Sequence, residues 1–204
     1  MTGREQTRFA IPGVIDLAHE WVAKALARFS DTRRLRVLDL TVGNGHDTSR
    51  LAHSVGPTGV VVGCDIQVEA LVQTAARLQS LGLMERVRLL QTDHAKLPGQ
   101  LGCTWRGSVH AAMANLGYLP GGDKSLITRC DTTMRMLDGV LPLLAVHGLL
   151  TVVVYTGHPG GTDEAQAVAR AAASLNPSHW RVAQVSFPGQ LHHPPALFAF
   201  ERLR

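Results

Sequence analysis

LRVLDLTVGNGHDT, Leu35 to Thr48, decides the fold. Its first half is a short apolar run that reads as a buried strand ending at Asp39. Two glycines follow, Gly43 and Gly45, and then HDTSRLAHSV carries helical spacing up to Gly56. Strand, glycine turn and helix in that order open an α/β unit, and glycines there let a backbone come close to a ligand. The dinucleotide pattern G-x-G-x-x-G asks for a third glycine where this chain has Thr48. Asp39 and Asp47 suit a cationic ligand and would repel a pyrophosphate.

Working outward, GVVVGCDI is a continuous apolar strand of the kind buried on both faces of a parallel sheet. QVEALVQTAARLQSLGL is a patterned helix, RVRLLQTD a third strand and GSVHAAMANLG a fourth. SLITRCDTTMRMLDGVLPLLAV reads as helical with an interruption near Gly139 or Pro142, and GLLTVVVYTG as the fifth strand. TDEAQAVARAAASL is a helix opened by Thr162, with Asp163 and Glu164 in its first turn. WRVAQVSF and PALFAFERL are the last strands, and PGQLHHPP between them is too short for a helical crossover, so they pair antiparallel. Upstream, Val14, Leu17, Ala18, Trp21, Val22, Ala25 and Leu26 give an amphipathic opening helix. The expected architecture is an α/β, doubly wound, seven-stranded Rossmann-like sheet, mainly parallel with a C-terminal antiparallel pair. One domain is expected over residues 1–204, with residues 1–30 as a helical segment packed on the sheet.

Ligands of such sheets bind beyond the carboxyl ends of the strands. After the second strand stands Asp65, 20 residues past Gly45, placed to accept ribose hydroxyls, or alternatively to cap the next helix. After the third come Asp93 and His94, where a side chain reaches an adenine edge. After the fourth comes NLGYLPGGDK, Asn115 to Lys124, and after the fifth YTGHPGG from Tyr155. The spacing of Asp39, Gly43, Gly45 and Asp65 looks like the cofactor loops of class I methyltransferases, with Thr41 in place of their first glycine.

TVGNGHDT, DIQ at Asp65 to Gln67, NLGYLPGGDK and YTGHPGG together resemble the YtqB-like rRNA methylase family, associated with MnmM-type tRNA methyltransferases. The resemblance runs from the opening helix, with His19, to Pro194 and Pro195, and departs within Phe187 to Pro195. It implies S-adenosylmethionine as cofactor and a tRNA anticodon stem-loop as partner. The implied reaction is N-methylation of the aminomethyl group of 5-aminomethyl-2-thiouridine at wobble position 34. Cofactor residues are then Asp39, Thr41, Gly43, Asn44, Gly45, Asp47, Thr48, Asp65, Gln67, Asp93 and His94. Asn115 is the catalytic candidate, because its amide oxygen can orient an amine and meet developing positive charge. Its loop NLGY resembles the Asn-Pro-Pro-Tyr loop of amino-group methyltransferases. Tyr118, Asp123, Lys124, Tyr155 and His158 are the substrate candidates, with Tyr118 available to stack on a base. Alternatives are an rRNA or small-amine methyltransferase, or a cofactor- and RNA-binding protein without catalysis.

A net charge of +4 permits a polyanionic partner, and Arg4, Arg8, Lys24, Arg28, Arg33, Arg34 and Arg36 are candidate phosphate contacts. The three cysteines form no C-x-x-C pair, and the ten histidines no H-E-x-x-H, so neither a disulfide framework nor a metal is expected. A cytoplasmic protein without membrane spans is expected, and the resemblance suggests a homodimer.

Overall fold

The computed structural model describes residues 11–29, 34–117, 128–191 and 194–204. Seven strands form one sheet in the order β3-β2-β1-β4-β5-β7-β6. They are β1 (Arg36–Asp39), β2 (Val60–Asp65), β3 (Val87–Gln91), β4 (Val109–Leu116), β5 (Leu144–Val154), β6 (Trp180–Val185) and β7 (Ala196–Arg202). β1 to β5 run parallel, and β7 enters antiparallel between β5 and β6. The expected mainly parallel sheet with an antiparallel C-terminal pair is therefore what forms.

Helices cover both faces, so the central strands bury apolar side chains on both sides, as Val37 and Leu38 do in β1. Val37 of β1 faces one layer with α1 (Val14–Ala27), α2 (His46–Ser54) and α3 (Val68–Ser80). Leu38 faces the other, with α4 (Leu97–Gln100), α5 (Cys130–Val140) and α6 (Gly161–Ser174). The chain winds from β1 to β2 and β3, then returns to place β4 on the other side of β1. Connections leaving β1 and β4 thus diverge, and the crevice between them lies at their carboxyl ends.

Two elements differ in their boundaries from the sequence reading. The helix expected to run to Val146 stops at Val140: Pro142 cannot donate the next backbone bond, a single 3-10 turn covers Leu141–Leu143, and β5 begins at Leu144. Early β5 bulges, because Val109 pairs with Leu144 whereas Ala111 pairs with Leu149. The second difference is α6, which starts at Gly161 behind a left-handed Gly160 rather than at a Thr162 cap. Glu164 is consequently buried and accepts hydrogen bonds from the Thr128 (3.0 Å) and Thr133 (2.6 Å) hydroxyls, tying α6 to the start of α5.

Candidate active site

The crevice is floored by the turn after β1. Leu40 N–H donates to Met113 O (2.8 Å) and Val42 N–H to Cys64 O (3.0 Å), so the backbone stays attached to both neighbouring strands while it turns. Asp39 lies beneath this turn, 1% exposed. Its carboxylate accepts the Thr41 N–H (3.2 Å) and the Thr48 hydroxyl (2.5 Å). Burial, helped by the charge of Asp47, pushes Asp39 up to about 7, against the two hydrogen bonds. Asp39 and Thr48 therefore brace the loop from inside; neither lines the cavity, as the sequence reading expected of cofactor contacts.

Gly45 is also structural. It caps α2 with φ +75°, and a Cβ there would lie 2.6 Å from Thr74 Oγ1. Thr74 cannot give way freely, because its hydroxyl donates to Gly43 O (3.0 Å). Gly45→Ala should combine left-handed strain with overpacking and cost about 3 kcal/mol, read as a fall of about 10 °C in Tm.

Above this floor opens a cavity of about 680 Å³, a normal size for a small-molecule site. Thr41, Gly43 and Asn44 form one wall, and Asp65 and Gln67 the next. Asp65 accepts Gly43 N–H at 2.9 Å and Gln67 N–H at 3.0 Å, so it spans the two turns while each oxygen keeps a lone pair. It is not the N-cap of α3, a position held by Gln67. Asp93 and His94 follow β3. Asp93 Oδ1 accepts Ala95 N–H (2.8 Å), which fixes that turn. Burial holds the His94 imidazole below its ordinary range despite the carboxylates of Asp93 and Asp65, and its Nε2 is buried without a protein partner.

Asn115, at the end of β4, faces the same cavity. Its backbone N–H donates to Thr41 Oγ1 (2.7 Å). Its Nδ2 donates to Asp47 Oδ2, whose other oxygen contacts His19 Nε2 at 2.6 Å. A carboxylate only accepts, so the amide's NH2 edge is the one turned to Asp47. Asn115 Oδ1 is left buried with no protein partner. Tyr155 closes this end; burial first and Asp47 second push its phenol up.

Of the substrate candidates, Tyr118, Asp123 and Lys124 lie outside the described residues. His158 does not line the cavity: its carbonyl accepts Gly161 N–H (3.0 Å), and its ring packs against the start of α6. The basic residues differ too. Arg4, Arg8 and Arg33 lie outside the described residues, while Lys24 and Arg34 are exposed. Arg28 pairs with Glu201. Arg36 donates to Thr104 O (2.5 Å) and Ser108 Oγ (2.8 Å) and stacks over Trp105, at the opposite end of β1 from the crevice. The sequence reading also missed part of the site. It gave His19 no role and took Thr128 and Arg129 as helix, whereas α5 begins only at Cys130; both line the cavity, together with Thr132 of the first turn of α5. Thr128 N–H donates to Gly117 O (3.0 Å), which a helical reading of that segment hides. No cluster of three or more His, Cys, Asp or Glu side chains among the described residues could hold a metal, and none of their helices is long and apolar enough to cross a membrane.

Residues 61–201 match the family model described as "Putative rRNA methylase". Over 174 residues the chain is 37% identical to the chloroplastic tRNA (mnm(5)s(2)U34)-methyltransferase of Arabidopsis thaliana, covering 81% of this chain and 63% of that protein. The chain thus spans less than two thirds of that relative. Among solved structures, a protein of Clostridium thermocellum described as a putative rRNA-methylase superposes with a TM-score of 0.85 at 33% identity, covering 95% of this chain and 100% of that one. A protein of Streptococcus mutans described as a putative methyltransferase, solved in complex with SAH, gives 0.81 at 30% identity, covering 95% and 99%.

Proposed function

The chain belongs to the rRNA methylase family of class I, S-adenosylmethionine-dependent methyltransferases, and from this we infer that its methyl acceptor is the aminomethyl nitrogen of 5-aminomethyl-2-thiouridine at tRNA position 34. The carrying observation is Asn115 Oδ1: a buried acceptor on the cavity wall, held without a partner. An amide oxygen there fits an incoming N–H, and an acceptor left dry and unpaired would otherwise cost about 1–3 kcal/mol. The similarity to the Arabidopsis enzyme, whose name specifies the N-methylated form of that nucleoside at position 34 of tRNA, supports the choice of RNA.

The residues present fit the cofactor. Asp47, Asp65 and Asp93 make the cavity anionic, which favours a sulfonium over a pyrophosphate. Asp65 has lone pairs for ribose hydroxyls, His94 Nε2 is a free group for the adenine edge, and Thr41 to Asn44 offer backbone to the amino-acid end. When bound, S-adenosylmethionine supplies an electrophilic methyl group.

The protein's own part is positioning. Asn115 Oδ1 accepts an N–H of the neutral amine and so turns its lone pair. As nitrogen becomes positive, Oδ1 and the adjacent Asp47 carboxylate stabilise it. Tyr155 supplies an aromatic wall at the same end. In this reading the partner is the anticodon stem-loop, met in the cytoplasm.

The test is nucleoside mass spectrometry of hypomodified tRNA incubated with the protein and S-adenosylmethionine. Conversion of 5-aminomethyl-2-thiouridine to its N-methyl form is expected. Methylation confined to rRNA, or S-adenosylmethionine binding with no transfer to either RNA, would reject the assignment.

A further inference from the structure

We propose that His19 is a positioning residue of this site: through Asp47 it fixes which edge of the Asn115 amide faces the acceptor. The proposal rests on the reading of Asn115 given above. Three elements far apart in sequence converge here. His19 comes from α1, Asp47 from the first turn of α2 and Asn115 from the end of β4. Both His19 and Asp47 precede residue 61, where the family match begins.

The carboxylate of Asp47 meets one donor on each oxygen, His19 Nε2 at 2.6 Å and Asn115 Nδ2. His19 therefore carries its proton on Nε2. Side-chain exposures are 12% for His19 and 17% for Asp47, so both bonds are partly shielded from water and charge-assisted. Were the His19 bond lost, Asp47 could rotate about its own side chain and release the amide. A turned amide would present N–H to the cavity, and that donor would engage the amine's lone pair, the electrons that must reach the methyl carbon. His19 thus acts on the acceptor's orientation without lining the cavity itself.

Two near-isosteric variants separate this role from a merely structural one. The His19→Gln amide nitrogen falls near the place of Nε2 and can still reach Asp47; the His19→Asn amide falls near Nδ1 and cannot. Single-turnover methylation of tRNA should be about tenfold slower in H19N and within about threefold of wild type in H19Q, with the affinity for S-adenosylhomocysteine unchanged within about twofold in both. In an Asp47→Ala background H19N should add nothing, because the two act as one unit. A wild-type rate in H19N, an equal loss in H19Q, losses that multiply in the double variant, or an effect confined to cofactor affinity would each overturn the proposal. An arm independent of the acceptor is the NMR signal of the Asn115 side-chain NH2, assigned by its loss in N115A. It should move upfield in H19N and return in H19Q. If wild type methylates no RNA, the function assignment fails, and this signal alone decides: an unmoved resonance in H19N sinks the role of His19.

Discussion

Asn115→Ala is expected to slow single-turnover methyl transfer by about 10²–10³-fold, the usual cost of removing one preorganised group that meets transition-state charge. The affinity for S-adenosylhomocysteine should stay within about twofold, since the groups placed to hold the cofactor stand elsewhere on the cavity wall. The two readouts diverge because of where each atom of Asn115 is spent. Its backbone N–H goes to Thr41 and an Nδ2–H to Asp47, and Oδ1 is the side-chain acceptor left for a reacting molecule. Truncation removes that oxygen while the strand end, tied through the backbone, stays in place. Asn115→Asp should be no better: it sets a second carboxylate in contact with Asp47, where one of the two must take up a proton. Rapid-quench kinetics on the N115A protein measures the loss. A rate within about threefold of wild type would leave the site without an assigned amine acceptor.

Much of this site could be read before its geometry was known, and the reasons are local. Central strands buried on both faces show as unbroken apolar runs, as in VVVGCD, and Gly43 and Gly45 mark a turn whatever its surroundings. What could not be read depends on packing between distant segments. A carboxylate at a strand end looks the same in sequence whether it faces the ligand, as Asp65 does, or is sealed beneath the loop, as Asp39 is. His19 lies 28 positions from Asp47, beside the apolar stripe of α1, and no periodicity connects them. Glu164 read as a helix-dipole residue because its two threonine donors arrive from α5 and the segment before it. Arg36 looked like a phosphate contact until its end of the strand was fixed. The boundary of α5 failed differently: Pro142 signalled an interruption, but only pairing with Val109 shows that strand follows at once.

The sealed carboxylate also gives the largest expected effect on stability, and its sign is set by the direction of the shift. In the folded protein Asp39 stays protonated up to about 7, whereas its ordinary value is 3.8. Below about pH 4 both folded and unfolded chains carry the proton, and the group imposes no penalty. Between about 4 and 7 the unfolded chain releases the proton while the folded one retains it, so stability drains away as pH rises, to a plateau above 7. Three pH units correspond to about 4 kcal/mol as an upper figure. Asp39→Asn keeps the shape and cannot ionise. Its Oδ1 can still accept Thr41 N–H, and its Nδ2 can donate to Thr48, whose hydroxyl reverses from donor to acceptor. The freed hydroxyl proton adds an offset, but that offset does not vary with pH. The difference in unfolding free energy between D39N and wild type, from urea titrations between pH 4.5 and 8.5, should therefore climb in favour of the variant by a few kcal/mol and level off above pH 7. Other carboxylates titrate in both proteins and cancel in the difference. Parallel curves would mean that Asp39 ionises in the folded protein near its ordinary value, which a carboxylate 1% exposed with Asp47 and Asp65 nearby could do only if the loop above it opened to water.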